Sequence, residues 1–348
     1  MVKLINILDL SEEELKHELI KRKDKGFRAS QVFKYIYNGV FDFDGMKNIG
    51  EGTRELLRSE FTVTIPETVK IMTSRDGTRK ALLRFPDGNI VEAVLMKYEY
   101  GYSVCISTQI GCKMGCSFCA STKEGLVRNL TPGEMLSQIL VLQKLSGERI
   151  SNLVLMGSGE PFDNFDNVVK FLKLVNSDKG LNIGQRHITV STCGIAPRIK
   201  DFADLDNQVT LAISLHETTD ERRKKLMPVA YQYPLDELFE ALKYYSDKTG
   251  RRISFEYALV SGVNDDNESA LRLMRLLKGI KSHVNLIPLN EIKESILKKP
   301  DNTRVEEFKR ALENFNIETT VRREMGTDIA AACGQLKRSF VSGESQNI

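Results

Sequence analysis

Three cysteines, Cys112, Cys116 and Cys119, fall within the eight residues "CKMGCSFC", and no fourth follows nearby. Thiolates so closely spaced bind soft metals. A structural zinc site closes around four ligands, usually as two spaced pairs, and ferredoxin clusters also use four cysteines. The remaining thiols here are Cys105, Cys193 and Cys333, and no histidine follows the loop within thirty residues. An iron–sulfur cube held by three thiolates would keep one iron open to an exogenous ligand. Spacing alone leaves that reading beside a zinc site and beside a coincidence of buried thiols.

Other residues of chemical interest are set at the ends of predicted strands. β-like runs cover 102–108, 151–157, 186–192, 208–214, 252–260 and 283–289, and helical patterns cover 132–146, 165–176, 196–205, 234–247, 267–279 and 304–315. Six alternations of strand and helix predict a parallel sheet with covering helices. The short strands and lack of a long interruption favour a curved partial barrel over an open doubly wound sheet. The cysteine loop follows the first strand, "GSGE" (157–160) the second, "STCG" (191–194) the third, "SLH" (214–216) the fourth and Asn290 the sixth. In such barrels the carboxyl ends of the strands share one mouth, where chemistry is assembled from several strands at once.

Ahead of this region, residues 1–60 read as short amphipathic helices, with a capping box at Ser11 and Glu14. Three strands then alternate with "RDGT" and "PDGN", the Asp-Gly signal of hairpins. The expected divisions are a helical unit at 1–60, a β-meander adaptor at 61–97, the barrel core at 98–340 and a flexible tail at 341–348.

Composition limits the classes. The 348 residues are 41% hydrophobic and 28% charged, as in a soluble globular protein. No apolar run reaches signal-peptide or membrane-spanning length, so a cytoplasmic protein without a membrane partner is expected. Six cysteines in a reducing compartment point to metal binding or redox chemistry before disulfides. A net charge of +3 excludes a strongly basic nucleic-acid coat. The clusters "KRKDKGFR", "RRKK" and "VRRE" read first as solvated faces and only second as RNA contacts.

The cysteine loop in this setting resembles the radical S-adenosylmethionine superfamily, whose signature is C-x3-C-x2-C on a partial (β/α)6 barrel. The resemblance implies one 4Fe–4S cluster on Cys112, Cys116 and Cys119, with S-adenosylmethionine on the open iron. It implies that Gly159 lets the backbone approach this ligand and that Glu160 accepts from its ammonium group. Ser191, Ser214, Leu215, His216 and Asn290 fall where the family contacts the ribose, the sulfonium side and the adenine. Taken singly, each has a plain structural reading as a turn, a cap or a core histidine.

Within that superfamily, "CISTQIGCKMGCSFCASTKEGLVRNLTPGEM", "LVLMGSGEPFDN", "STCGIAPRI", "SLHETTDERRKKLMPV" and "GTDIAAACGQL" are similar to the RlmN/Cfr family of RNA adenosine methyltransferases, over nearly the whole chain. An adenine ring carbon is neither acidic nor usefully nucleophilic, so it resists direct transfer of an electrophilic methyl group, and radical addition avoids that obstacle. The resemblance implies that Cys333 carries the methyl group, that Glu92 takes the ring proton, and that Cys105 releases product through a transient disulfide with Cys333. It implies two S-adenosylmethionine molecules per turnover and a flavodoxin- or ferredoxin-like electron donor. The residues "GEP" (159–161) and "STCG" favour the branch acting on C2 of adenosine in 23S rRNA and in tRNA over the antibiotic-resistance branch acting on C8. A monomer is expected, with Arg222, Arg223, Lys224 and Lys225 on RNA phosphates and Cys193 an inert buried thiol. Two other classes stay open. A non-catalytic iron–sulfur or zinc RNA-binding protein would need neither Cys105, Cys333 nor Glu92. Radical activases and peptide-maturing enzymes commonly carry further cysteine clusters, for which six cysteines leave no material.

Overall fold

The computed structural model describes residues 4–290 and 296–331. Strand β1 (Ile5–Asn6) pairs in parallel with β2 (Phe61–Thr62), which brings the ends of the amino-terminal unit together. Between them lie α1 (Glu12–Lys21), α2 (Arg28–Tyr37) and α3 (Glu51–Glu60). α1 begins at the expected Ser11–Glu14 capping box. α2 buries Ala29, Val32, Phe33 and Ile36, the one-sided stripe of a helix packed on a core. The unit docks on the rest of the chain, where the Gly133 amide donates to Asp9 Oδ1 at 2.6 Å.

The meander strands are β3 (Glu67–Thr73), β4 (Arg79–Arg84) and β5 (Ile90–Tyr98), and they continue antiparallel into β6 (Gly101–Cys105). A small hairpin of β7 (Gln109–Gly111) and β8 (Leu126–Asn129) then encloses the cysteine loop. It was not expected, because its strands are too short to show alternation. Next come α4 (Pro132–Ser146), β9 (Ile150–Leu155), α5 (Phe165–Asn176), β10 (Ile188–Thr192), α6 (Ala196–Ala203), β11 (Thr210–Ser214) and α7 (Asp220–Leu226). The remainder is α8 (Leu235–Thr249), β12 (Ile253–Leu259), α9 (Asn267–Leu277), β13 (Ser282–Pro288), α10 (Asn302–Asn314) and β14 (Thr319–Val321).

Ten strands form one sheet in the order β14-β13-β12-β11-β10-β9-β6-β5-β4-β3. From β6 to β14 every neighbour is the next strand of the βα series, and every pairing is parallel. A doubly wound sheet would reverse its order at a switch point; this one does not, and its sequential order is that of a barrel. β14 lies within the segment "IETTVRRE" and adds a further parallel strand after β13. The meander adds its three strands to the same sheet at β6.

Helix α4 is buried along most of its length, with its start fixed by Thr131, Pro132 and Glu134 as expected. α6 stops two residues early, and α8 runs on to Thr249, where Gly250 adopts the left-handed conformation that closes it. α7 was missed, since "DERRKKL" has no apolar periodicity; its start is capped by Thr219.

Candidate active site

The cysteine loop is shaped by its own backbone. The Cys112 amide donates to Gly125 O at 3.0 Å, Cys119 N donates to Cys116 O at 3.1 Å, and Thr122 Oγ1 donates to both Cys116 O and Cys119 O. The loop is anchored to α7 by Ser117 N on Leu226 O at 2.9 Å, and Phe118 meets the His216 ring edge-on at 4.9 Å. Cys112, Cys116 and Cys119 all line one cavity at the carboxyl ends of the parallel strands. Among the described residues, no three His, Cys, Asp or Glu side chains converge as a single metal ion demands. A four-iron cube takes its thiolates at separate corners, so a lined cavity suits it better than a point. Burial pushes the Cys112 thiol up to about 12 and raises Cys116 as well; such sulfurs ionise when a metal takes the proton's place.

Gly159, Glu160, Ser191, Ser214, His216 and Asn290 line the same cavity. Gly159 has φ +107, and a Cβ there would lie 2.7 Å from Gln109 N and Thr108 Oγ1. Only glycine fits this crossing of two chain segments. The Glu160 carboxylate accepts from Phe162 N at 2.9 Å and Cys193 N at 2.8 Å. Burial raises its pKa, while these hydrogen bonds pull the other way. Ser191 Oγ and Ser214 Oγ are 3.4 Å apart on adjacent strands. His216 Nδ1 accepts from Ala258 N at 3.0 Å, so the ring proton sits on Nε2. Burial, helped by the nearby Arg223 guanidinium, takes the His216 pKa down to about 3, and the ring is neutral.

Several expectations need correction or refinement. Leu215 is fully buried and does not line the cavity; strand alternation turns its side chain into the core between two lining residues. Arg223 cannot meet RNA phosphate, being fully buried and donating to Leu215 O at 3.2 Å and Cys193 O at 2.6 Å. It sits on the inward face of α7, while Lys225 is exposed. Cys193 is buried as expected, yet it also lines the cavity. Glu92 is no solvated strand residue: it is 6% exposed and lies 3.7 Å from Lys80 Nζ.

Sequence reasoning passed over Glu256 and Arg322, which also line the cavity. Glu256 accepts from Asn285 Nδ2 at 2.9 Å and pairs with Arg322 at 3.5 Å. Burial raises its pKa, and Arg322 opposes the shift. Its signal was an acid amid the apolar run "RISFEYALV".

Cys105 lies at the end of β6, in a small apolar cluster with Val94, Met96, Met325 and Ala331. Met96, Met325 and Ala331 also line a cleft that shares Ile287, Asn290 and Arg322 with the main cavity. The two recesses therefore adjoin. Cys333 lies outside the described residues, as does the expected tail at 341–348.

A cavity at the carboxyl ends of a sequentially ordered parallel sheet, with three thiols from the loop after its first strand, defines a radical S-adenosylmethionine enzyme. Known proteins agree. A family model described as "Radical SAM superfamily" matches residues 106–277, and one described as "Ribosomal RNA large subunit methyltransferase N-terminal domain" matches residues 5–63. A protein of Clostridium perfringens (strain SM101 / Type A), named "Probable dual-specificity RNA methyltransferase RlmN", is 58% identical over 341 residues, spanning 97% of this chain and 98% of its own. A protein of the same name from Clostridium acetobutylicum is 58% identical over 337 residues, spanning 97% and 98%. The crystal structure of a radical SAM methyltransferase from Sphaerobacter thermophilus superposes with a TM-score of 0.92 at 40% identity, covering 96% of this chain and 99% of that one. The chain belongs to the RlmN family of radical S-adenosylmethionine RNA methyltransferases. Membership implies a 4Fe–4S cluster and S-adenosylmethionine, which suit the three thiols and the polar residues around them. No helix among the described residues is long and apolar enough to cross a membrane.

Proposed function

We propose that this protein methylates C2 of adenosine in 23S rRNA, at the peptidyl-transferase centre, and at adenosine 37 of tRNA, consuming two S-adenosylmethionine molecules per turnover. The observation that carries the mechanism is the adjoining of the two recesses. One is lined by Cys112, Cys116 and Cys119, and the other by Ala331, two residues before Cys333, with Met96 and Met325, which pack in one apolar cluster with Cys105. When bound, the cluster supplies the electron that turns S-adenosylmethionine into a hydrogen-abstracting radical source. Cys112, Cys116 and Cys119 hold it, and Gly159, Glu160, Ser191, Ser214, His216 and Asn290 seat the cofactor. Cys333 carries the methyl group to the base. Glu92, on the same face of the sheet as Cys105, accepts the ring proton. The Cys105 thiolate then attacks the Cys333 sulfur, so the sulfur–carbon bond breaks as the disulfide forms; the released CH2 carbon takes up a proton to become the methyl group, the odd electron of the adduct leaves with the disulfide, and cellular thiols restore both cysteines. The target base leaves its stack to enter the mouth.

The reading takes the protein as a cytoplasmic monomer served by a flavodoxin- or ferredoxin-like donor, with the amino-terminal helices and exposed Lys225 meeting folded RNA. Nucleoside mass spectrometry of rRNA and tRNA from cells with and without the protein tests it. Loss of C2-methyladenosine from both RNAs is expected. Loss of the C8 isomer would move the protein to the antibiotic-resistance branch, and loss of neither would end the proposal.

A further inference from the structure

Lys80 has no counterpart in the mechanism above, and it is among the least expected residues in the molecule. It sits on β4, one strand in from the edge of the sheet, and is 4% exposed. Across β4 and β5, Lys80 is opposite Val94 and Glu92 is opposite Leu82, so Lys80 and Glu92 are diagonal neighbours on one face. Lys80 Nζ lies 3.7 Å from Glu92 Oε1 and donates to Ala330 O at 2.9 Å. The same row continues through Val94 to Cys105 on β6. One ammonium group thus touches the carboxylate read as proton acceptor and the segment that runs on to Cys333.

That segment is held to the meander at two more points. Gly326 N donates to Asp76 Oδ2 at 2.8 Å, and Asp328 Oδ2 accepts from Arg75 N at 3.2 Å. Burial works against the Asp76 charge, but amides of Gly326 and Thr78 hold its pKa down to about 2. These turn contacts already fasten the segment, so the lysine is not needed merely to anchor it. Nor does a buried ion pair add much to stability, since apolar residues of similar volume commonly pack as well.

We infer that Lys80 is a positioning residue for methyl transfer, keeping the buried Glu92 carboxylate ionised and aligned with the segment leading to Cys333. The inference rests on the reading of Glu92 as proton acceptor. Leu82 opposite this carboxyl group and Val94 beside it on the same face disfavour the charged form that accepts a proton, and the Lys80 ammonium offsets them. Burial also lowers the Lys80 pKa, and Glu92 opposes that shift. Among the described residues, the other charged or titratable groups on this face of the sheet are Lys70 of β3, Arg84 of β4, Tyr98 of β5 and Cys105 of β6. Of these, Lys70 adds a like charge to Lys80, and Arg84 is paired with Glu67.

The experiment uses the full-length enzyme with its cluster reconstituted, as wild type, Lys80→Met, Lys80→Gln, Lys80→Arg and Glu92→Gln. Methyl loading of Cys333 is read by intact mass, and single-turnover methylation of an RNA transcript is followed between about pH 6 and 9. Lys80→Met and Lys80→Gln should load the methyl group yet lose about 100-fold in rate at neutral pH. Their acid limb should move to higher pH, so that activity recovers in alkali, while Lys80→Arg keeps the wild-type profile. The glutamine variant can still donate to Ala330 O, so it separates charge from tethering and stands in if the methionine variant does not fold. A wild-type profile in Lys80→Gln beside an inactive Glu92→Gln overturns the inference and leaves the acceptor standing. Full activity in Glu92→Gln overturns the acceptor reading itself.

Discussion

The cavity of the three thiols and the sheet face that carries Cys105 are built in opposite ways. The cluster side belongs to the parallel half of the sheet, and its residues come from the carboxyl ends of the strands and from the loops that leave them. The other side belongs to the antiparallel meander, where Lys80, Glu92 and Cys105 stand on three different strands and meet only through register. Loop chemistry is local: three thiols within eight residues share one turn wherever that turn is placed. Face chemistry is not. A slip of one residue between β4 and β5 would turn Lys80 and Glu92 to opposite faces of the sheet. The comparison teaches that the cluster side needs correct loops, whereas the meander side needs correct pairing.

The contrast can be broken most sharply at Cys116. Cys116→Ala should abolish iron and sulfide retention together with all methylation, while circular dichroism remains that of the folded protein. A full complement of iron would remove Cys116 from the ligand set. Cys105→Ala should strike the other side: Cys333 still gains its methyl group by intact mass, but turnover stops with RNA covalently attached to the protein. Free product released at the wild-type rate would exclude Cys105 as the resolving thiol.

Smaller effects sharpen the distinction through stability. Gly159→Ala puts a Cβ against Gln109 and Thr108 at a left-handed φ and is expected to cost about 1–3 kcal/mol. Thermal unfolding measures it, and an unchanged Tm would mean that the crossing loops can part. For His216, the folded ring refuses a proton down to about 3, whereas the unfolded chain accepts one below 6.5. Its contribution is therefore fully present above 6.5 and is lost as pH falls towards 3, by up to about 1.4 kcal/mol per pH unit. Urea midpoints taken across that window should fall more steeply for the wild type than for His216→Gln. Equal slopes would place the titration elsewhere.

Much of the cluster side was legible beforehand. Helices α4 and α5 begin and end where their apolar patterns put them, α4 with its capping box at Thr131, and "GSGE", "STCG" and "SLH" all follow or end strands of the cavity. Leu215 packs its side chain in the core, and a three-residue motif names positions without saying which way each side chain points. Arg223 failed because a basic run looks solvated until a helix turns one member inward against Leu215 O and Cys193 O. On the meander side the strands were legible and the chemistry was not. Glu92 carried no signal of its own beyond family likeness, and Lys80 carried none at all.

From sequence alone came the three closely spaced thiols, the βα rhythm and the strand-end placement of the polar motifs, because each depends on residues close together along the chain. Only the tertiary structure decided that the meander joins the same sheet, that Lys80 reaches both Glu92 and Ala330, and that the apolar cluster around Cys105 borders a recess adjoining the cavity of the three thiols. Those facts depend on strand register and on contacts between residues as far apart as 80 and 330. No local pattern encodes them; pairing and burial together select them.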